Sequence, residues 1–434
     1  VRDAVDWNVS DELVISPTEY DVNEMEKVVV AAISADKHSI TLSCPLSFSH
    51  FGGDVADGRG GAVTLAAAVG HLTRNINVVG NLMDSNDTYG VHVAVADAVF
   101  SPTSSVFGSV NLKGVSFDAC GKQGTENPCI RFTYTSSVTV TPATNLVDGC
   151  VFKNGLNGAI VSQNTNNVIL RNNVIHRTYR NGIDVDISTV NITINNNLIV
   201  GSLRTPDYTY LWIEPFAAIY VDSSSYSSIS GNVAGGAADM GFVVRPGACS
   251  VILPAFNNNE VHSAIVGLFI LPVSITCAKV FKFKAWKCSH FGIFTVDQLS
   301  NIILQQVVVS DSHIGISLNF LQNTNNVIRN RVDIIDSVIF GSTSASTCSV
   351  ALKCHAMTMN DLTGVNCNSV FGPTYRRVGF TSTQYLNRAK TCGVSGGIAN
   401  CRPSILPERL SPFPWVLRFG LPSSNYTKVV VSNT

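Results

Sequence analysis

The 434 residues carry a formal net charge of −1, with 14% charged and 45% hydrophobic residues. This balance offers no basic surface to nucleic acid and no long run of either sign, and it sends much of the chain into a dry interior. No stretch of about 18 apolar residues occurs, so neither a transmembrane helix nor direct membrane insertion is read here.

The chain opens on a polar turn, Asp6 to Asp11, leading into a strand that ends at Ser16. Further strands are expected over Glu24 to Ile33 and Ser39 to Leu46. Residues 52–63, rich in Gly and Asp, read as a surface loop. Residues 81–110 read as early coils of a repeat, with a polar loop at Asp84-Ser85-Asn86-Asp87. Cys120 and Cys129 bracket a polar excursion that a disulfide would close; two free thiols on one loop is the alternative.

From Asn145 to Ser317 a motif returns every 22 to 26 residues, marked by Gly158, Gly182, Gly241, Gly267, Gly292 and Gly315. Each glycine precedes an apolar run such as Ile183-Asp184-Val185 or Phe242-Val243-Val244. A second short run lies upstream, often after asparagine, as at Asn173-Val174-Ile175 and Asn197-Leu198-Ile199. Runs of three to five residues at one short period are too brief for helices and mark one supersecondary unit stacked on its copies. Three runs per repeat predict one coil of a right-handed, single-stranded parallel β-helix of the pectate-lyase-like kind, with Asn at corners and Gly where backbones crowd. An antiparallel β-sandwich is the competing all-β fold, but it has no reason to repeat one order at one period. The gap between Gly182 and Gly241 is assigned to an aromatic insertion at 201–216 containing Tyr208, Tyr210 and Trp212. These aromatics are read either as a sugar-stacking platform or as packing of the insertion on the solenoid.

After about residue 345 the period fades. Cys348, Cys354, Cys367, Cys392 and Cys401 crowd together, and Pro403, Pro407, Pro412 and Pro414 follow. A solenoid end leaves strand edges bare, so 346–434 is expected to be a disulfide-rich cap or junction. The expected division is thus 1–60, part of a β-rich domain; 61–345, the β-helix; and 346–434, the cap.

The run Asp6-Trp7-Asn8-Val9-Ser10-Asp11-Glu12-Leu13-Val14-Ile15-Ser16-Pro17-Thr18-Glu19-Tyr20-Asp21 resembles the end of the glycine-rich domain of the fibrocystin and fibrocystin-like family, a domain shared with cell-surface hyaluronidase and cell-migration-inducing hyaluronan-binding proteins. The match continues through Ser49-His50-Phe51-Gly52 and Leu72-Thr73-Arg74-Asn75-Ile76 with Gly80. It then covers Asn258-Asn259-Glu260-Val261-His262-Ser263 and Phe283-Lys284-Ala285-Trp286-Lys287-Cys288, in all roughly residues 5 to 345. One position departs from it: Ala68 stands where the family carries an acidic residue. The resemblance implies an extracellular module of a larger protein, so the chain reads as a fragment.

Residues suited to chemistry are few. Asp184 and Asp186, two apart on a strand, point to one face, and clustered carboxylates can serve as acid and base or nucleophile. His176 and Arg180 share their coil, and Asp222 and Asp239 follow in later coils; a solvated face is the plainer reading. His290 and His313 stand 23 residues apart and align if coils stack, with His262 at a related place. No third ligand type repeats with them, so no metal or cofactor is assigned. Arg74 is expected to pair with a carboxylate that orients the first coil.

Twelve cysteines without CxxC spacing and four N-glycosylation sequons, at Asn8, Asn86, Asn191 and Asn425, favour an oxidising secretory environment. The disulfide candidates are Cys120 with Cys129, Cys277 with Cys288, and Cys392 with Cys401. The expected function is a structural or adhesive extracellular module of a cell-surface or ciliary appendage protein. Its partners would be other modules of the same chain or assembly, and glycans. The alternative is an enzyme that binds or hydrolyses a hyaluronan-type glycan.

Overall fold

The structure is a computed structural model. It describes residues 1–340 apart from 57–60, 81–88, 102–103, 136–144, 205–215, 252–254, 273–276, 299 and 321–330, together with strands at 393–395, 398–400, 415–420 and 428–432.

The repeat folds as a right-handed parallel β-helix. One coil contains Val168–Arg171, Val174–Tyr179 and Ile183–Val185, and the next contains Thr193–Asn195, Leu198–Leu203 and Ala217–Val221. Each strand pairs in parallel with its counterpart one coil on, so three rows of strands run along the axis. From Val233–Val244 onward the second and third strands of a coil join into one long strand with a shift in register. Alternation sends every other residue inward. Leu170, Ile194, Ile229 and Phe256 form one interior column, and Phe152, Ile175, Ile199 and Ala234 another, all fully buried. Where the second row carries the small residues Ala234, Val261 and Ala285, the Phe242, Phe256 and Phe283 rings fill the space edge-on and stacked, with centroids 5.6 to 6.1 Å apart.

Between the first and second rows the backbone turns through one left-handed residue in every coil. These are Gly114, Gly149, Asn172, Asn196, Gly231, Asn258, Lys282, Gln306 and Asp336, with φ from 47° to 68°. Gly and Asn tolerate that region best, which is why the Asn and Gly punctuation has the coil period. The residue after the corner points inward. There Asn173, Asn197, Asn232 and Asn259 stack into a buried ladder, each Nδ2 donating to the Oδ1 of the next at 2.9 Å. Each Nδ2 also donates to a first-row carbonyl: Val147, Leu170, Ile194 and Ile229 respectively. Backbone and side-chain polar groups at the corner are thereby satisfied without water.

The glycines form a different column, at the start of the third row. Register places Gly182, Ala218, Gly241, Gly267, Gly292 and Gly315 above one another. A Cβ on Gly267 would lie 2.4 Å from the Gly292 carbonyl oxygen, and one on Gly292 2.5 Å from that of Gly315. Two corrections follow. Ala159, not Gly158, is in register with Gly182. The long gap holds a full coil whose column residue is Ala218, because the column needs only a small side chain. Its expected aromatics, Tyr208, Tyr210 and Trp212, lie outside the described residues.

The N-terminal region is a separate sheet laid on the solenoid. Strands β1 (Glu12–Ile15), β2 (Glu26–Ile33), β3 (Ile40–Leu42) and, later in the chain, β6 (Val69–His71) pair antiparallel in the order β3-β2-β1-β6. Residues 52–63 are not a simple loop: β4 (Gly52–Ala56) and β5 (Ala62–Ala66) form an antiparallel hairpin. Its Val55 and Leu65 close over Trp286, because the outward face of the second row is apolar there. The expected boundary at 60 therefore falls between two paired strands, and the first solenoid strand is Ile76–Val79. At the other end Trp415–Gly420 and Lys428–Ser432 add in parallel to Ile314–Phe320 and Arg331–Ile335. The remainder of the expected cap lies outside the described residues.

Candidate functional site

Of the proposed carboxylates, Asp184, Asp186 and Asp222 lie at one end of the third row, and Asp239 lies apart from them. Asp184 is on the outward face of the third row, in register with Tyr220, and its Oδ2 accepts from Asn181 Nδ2 at 2.9 Å. Asp186 follows the strand and caps the next turn. It accepts from the backbone N–H of Asn164 and of Thr189, from Thr189 Oγ1 and from Ser188 Oγ. Asp222 stands one coil above Asp186, and Arg245 Nη2 lies 2.6 Å from its Oδ1. Asp239 is buried at the bend between second and third rows, 2.5 Å from Arg204 Nη2. Asp222 and Asp239 thus pair with arginines, Asp186 ends a turn, and Asp184 accepts from an asparagine amide.

His176 shares a coil with Asp184 but not a face. It points outward from the second row, beneath the N-terminal sheet, and burial pushes its pKa down to about 4. Arg180 lies 3.1 Å from Glu126, away from that histidine. Among the other histidines, His290 and His313 do stack, with centroids 5.6 Å apart. His262 does not join them. It belongs to the second row, where its ring lies 4.4 Å from that of Trp286 and burial again lowers its pKa to about 4. Arg74 departs from expectation as well: it donates to backbone carbonyls of Gly149, His71 and Thr73 rather than to a carboxylate.

The cysteines divide by environment. Cys120 and Cys129 are bonded. Cys277 is bonded to Cys249, not to Cys288, because an antiparallel bridge between Ala248 and Ala278 brings the start of the first-row strand beside the preceding loop. Cys288 is buried as a free thiol, and desolvation pushes its pKa up to about 12. Cys392 and Cys401 lie outside the described residues. Asn8 and Asn191 are exposed, whereas Asn86 and Asn425 are not among the described residues. The Asn191 side chain is held between Asn167 and Ser227 in a second, surface ladder.

The feature that sequence reasoning missed is the junction between the N-terminal sheet and the second row. Val14, Leu72, Val151, Val174 and Val200 form a buried apolar cluster there. Beyond it, Ser16 to Tyr20 cross the outward column of the second row. Ser16 Oγ lies 3.4 Å from His262 Nε2, and Ser263 Oγ donates to Pro17 O. Glu19 lies 2.8 Å from the fully buried Lys287 Nζ, and Tyr20 donates to Asp311 O at 2.7 Å. Ala68 hydrogen-bonds Ser16 through its backbone N–H. The position at which the family's acid is replaced thus belongs to this junction.

Comparison with known proteins agrees with this architecture. Residues 103–272 match the family model of the periplasmic copper-binding protein NosD. Over 81% of its length the chain is 27% identical to human fibrocystin-L, and over 78% it is 25% identical to dog fibrocystin. The chain is thus similar to fibrocystins over about four fifths of its length. Mouse fibrocystin-L is 26% identical over 81% of it. The chain spans 9% of the length of human fibrocystin-L and 8% of that of dog fibrocystin.

Proposed function

We propose that the chain is a structural, adhesive module of an extracellular fibrocystin-like protein at the cell surface or on a cilium or flagellum, joined to other modules of the same chain or assembly. The observation that carries this reading is the employment of the carboxylates. Asp186 is committed to a turn cap, and Asp222 and Asp239 to arginines. Two disulfides among the described residues fit an oxidising compartment. Exposed Asn8 and Asn191 are the acceptors for N-glycans in this reading. The C-terminal segment 346–434 serves in it as the cap or junction. Copper binding, stated in the name of the NosD family, forms no part of this reading.

One observation favours a second reading, glycan binding or hydrolysis. Asp184 and Tyr220 stand in register and outward, with Asp186 and Asp222 beside them.

The module reading is tested by secreting the chain from cultured cells and measuring its intact mass and its capture by beads bearing the same chain. Two or more disulfides, glycan at Asn8 and bead capture unchanged by Asp184→Asn with Asp186→Asn are expected. Fully free thiols and no self-capture would count against it.

A further inference from the structure

The residues from Ser16 to Tyr20 run along the solenoid axis rather than around it. The three coil steps from Gly235 through His262 and Trp286 to Ser310 cover about 14 Å, and the five residues from Ser16 to Tyr20 reach across them, bending at Glu19 and Tyr20. Four successive coils are contacted in turn, the one carrying His262 and Ser263 twice. Gly235 leaves room for Ser16, whose Cβ would lie 2.6 Å from an added Cβ. His262 and Ser263 take Ser16 and Pro17, Lys287 takes Glu19, and Asp311 takes Tyr20. In the two coils below, Met25 lies against Gly201, and Val14 packs with Val174 and Val200.

Two histidines are sealed under this contact. His262 is fully buried between Ser16 and the Trp286 ring. His176 is 4% exposed and its Nδ1 lies 3.3 Å from Val200 O. The charged groups facing His262 are Glu260 and Lys284 on adjacent coils, with the Glu19–Lys287 pair beyond. Those facing His176 are Arg177 on its own coil, Lys153 on the coil before, and Lys27 from β2. Around His176 the two lysines share Glu12 of β1, and near His262 the single carboxylate, Glu260, is already paired with Lys284, so neither buried ring has an uncommitted anion to hold it as imidazolium.

We propose that the N-terminal sheet is an acid-released clamp: it closes on the second row while His176 and His262 are neutral and lifts when they take up protons. The sign follows from linkage. Burial depresses both groups to about 4 from the ordinary 6.5, so the closed form is fully favoured above pH 6.5 and loses ground as the pH falls toward 4. At pH 5 each histidine freed to water weakens closure by about 30-fold, and the two together by on the order of 10³-fold. This inference is independent of whether the module is adhesive or enzymatic.

Hydroxyl-radical footprinting of the intact chain between pH 7.5 and 4.5 tests it. Trp286 and Leu72, buried at the junction, should gain labelling as the pH falls through 6 to 5, while Phe152 and Phe242 in the solenoid interior stay protected. His262→Phe, which keeps a ring on Trp286, should move that gain to lower pH. Unchanged Trp286 and Leu72 labelling down to pH 4.5 would overturn the clamp, as would simultaneous exposure of junction and interior. A His262→Phe profile identical to that of the parent would overturn the role of His262. Should that variant not fold, the junction-against-interior comparison in the parent chain still decides.

Discussion

Asn173 donates its side-chain Nδ2 to Oδ1 of Asn197, 24 residues on, at 2.9 Å, and both side chains are buried. The same Oδ1 accepts the backbone N–H of Asn173 at 3.1 Å. Removing Asn197 therefore orphans two donors on one side, and the carbonyl of Leu170 and Oδ1 of Asn232 each lose a donor on the other. At about 1–3 kcal/mol for each group left unsatisfied, Asn197→Ala should destabilise the solenoid by about 3–6 kcal/mol in urea unfolding. Asn195→Ala, on the outward face of the same coil, should cost less than half of that.

Gly267 tests the small-residue column. Its missing Cβ would meet the Gly292 carbonyl oxygen, Cys288 Sγ at 3.0 Å and Ala285 Cβ at 3.1 Å. None of these belongs to a long, flexible side chain, so Gly267→Ala should cost at least about 2–3 kcal/mol by overpacking. At Gly247 nothing lies within 4 Å, and Gly247→Ala should leave the melting temperature within about 1 °C, or raise it slightly by restricting the unfolded chain. Differential scanning calorimetry of the two variants makes the comparison.

The disulfides differ in the loop they close. Sequence separations of 9 for Cys120–Cys129 and 28 for Cys249–Cys277 give about 2.7 and 3.6 kcal/mol in the chain-entropy model. Replacing Cys249 and Cys277 together by Ala should lower stability by about 1 kcal/mol more than the same change at Cys120 and Cys129. Equilibrium denaturation under non-reducing conditions measures the difference.

Lys287 is a fully buried ammonium whose carboxylate partner, Glu19, comes from the N-terminal segment. Glu19→Ala should cost about 3 kcal/mol because an uncompensated charge remains inside. Adding Lys287→Met should recover part of that loss. A double-mutant cycle on folding stability checks both statements.

The coil and its period were legible because Asn and Gly, the residues that tolerate left-handed backbone, fell at the corners. The sequence signal for the ladder was also present, in the pairs Asn172-Asn173, Asn196-Asn197, Gly231-Asn232 and Asn258-Asn259: the first residue turns the chain and the second points inward. Reading both as corner residues hid the ladder. The Cys249–Cys277 bond and the fate of His262 were not legible, since each depends on which row a residue occupies, and a spacing of about one coil fits several rows. The junction was hidden for a further reason. Ser16 and His262 meet across 246 residues, and a polar segment such as Ser16 to Tyr20 carries no periodicity of its own. The carboxylates were correctly located on coils, but their partners Arg204 and Arg245 lie a coil away, out of reach of local pattern.

In the proposed reading Asp184 and Asp186 serve the fold and not turnover. Its most direct test is release of reducing ends from hyaluronan and from pectin by the purified chain, alongside the chain carrying Asp184→Asn and Asp186→Asn. A hydrolase needs one carboxyl protonated and its partner ionised at the same bond. With Asp186 held by Thr189, Ser188 and Asn164, no release above buffer is expected from either protein. Release by the parent chain that disappears in the double variant would contradict the account and establish the glycan-cleaving reading.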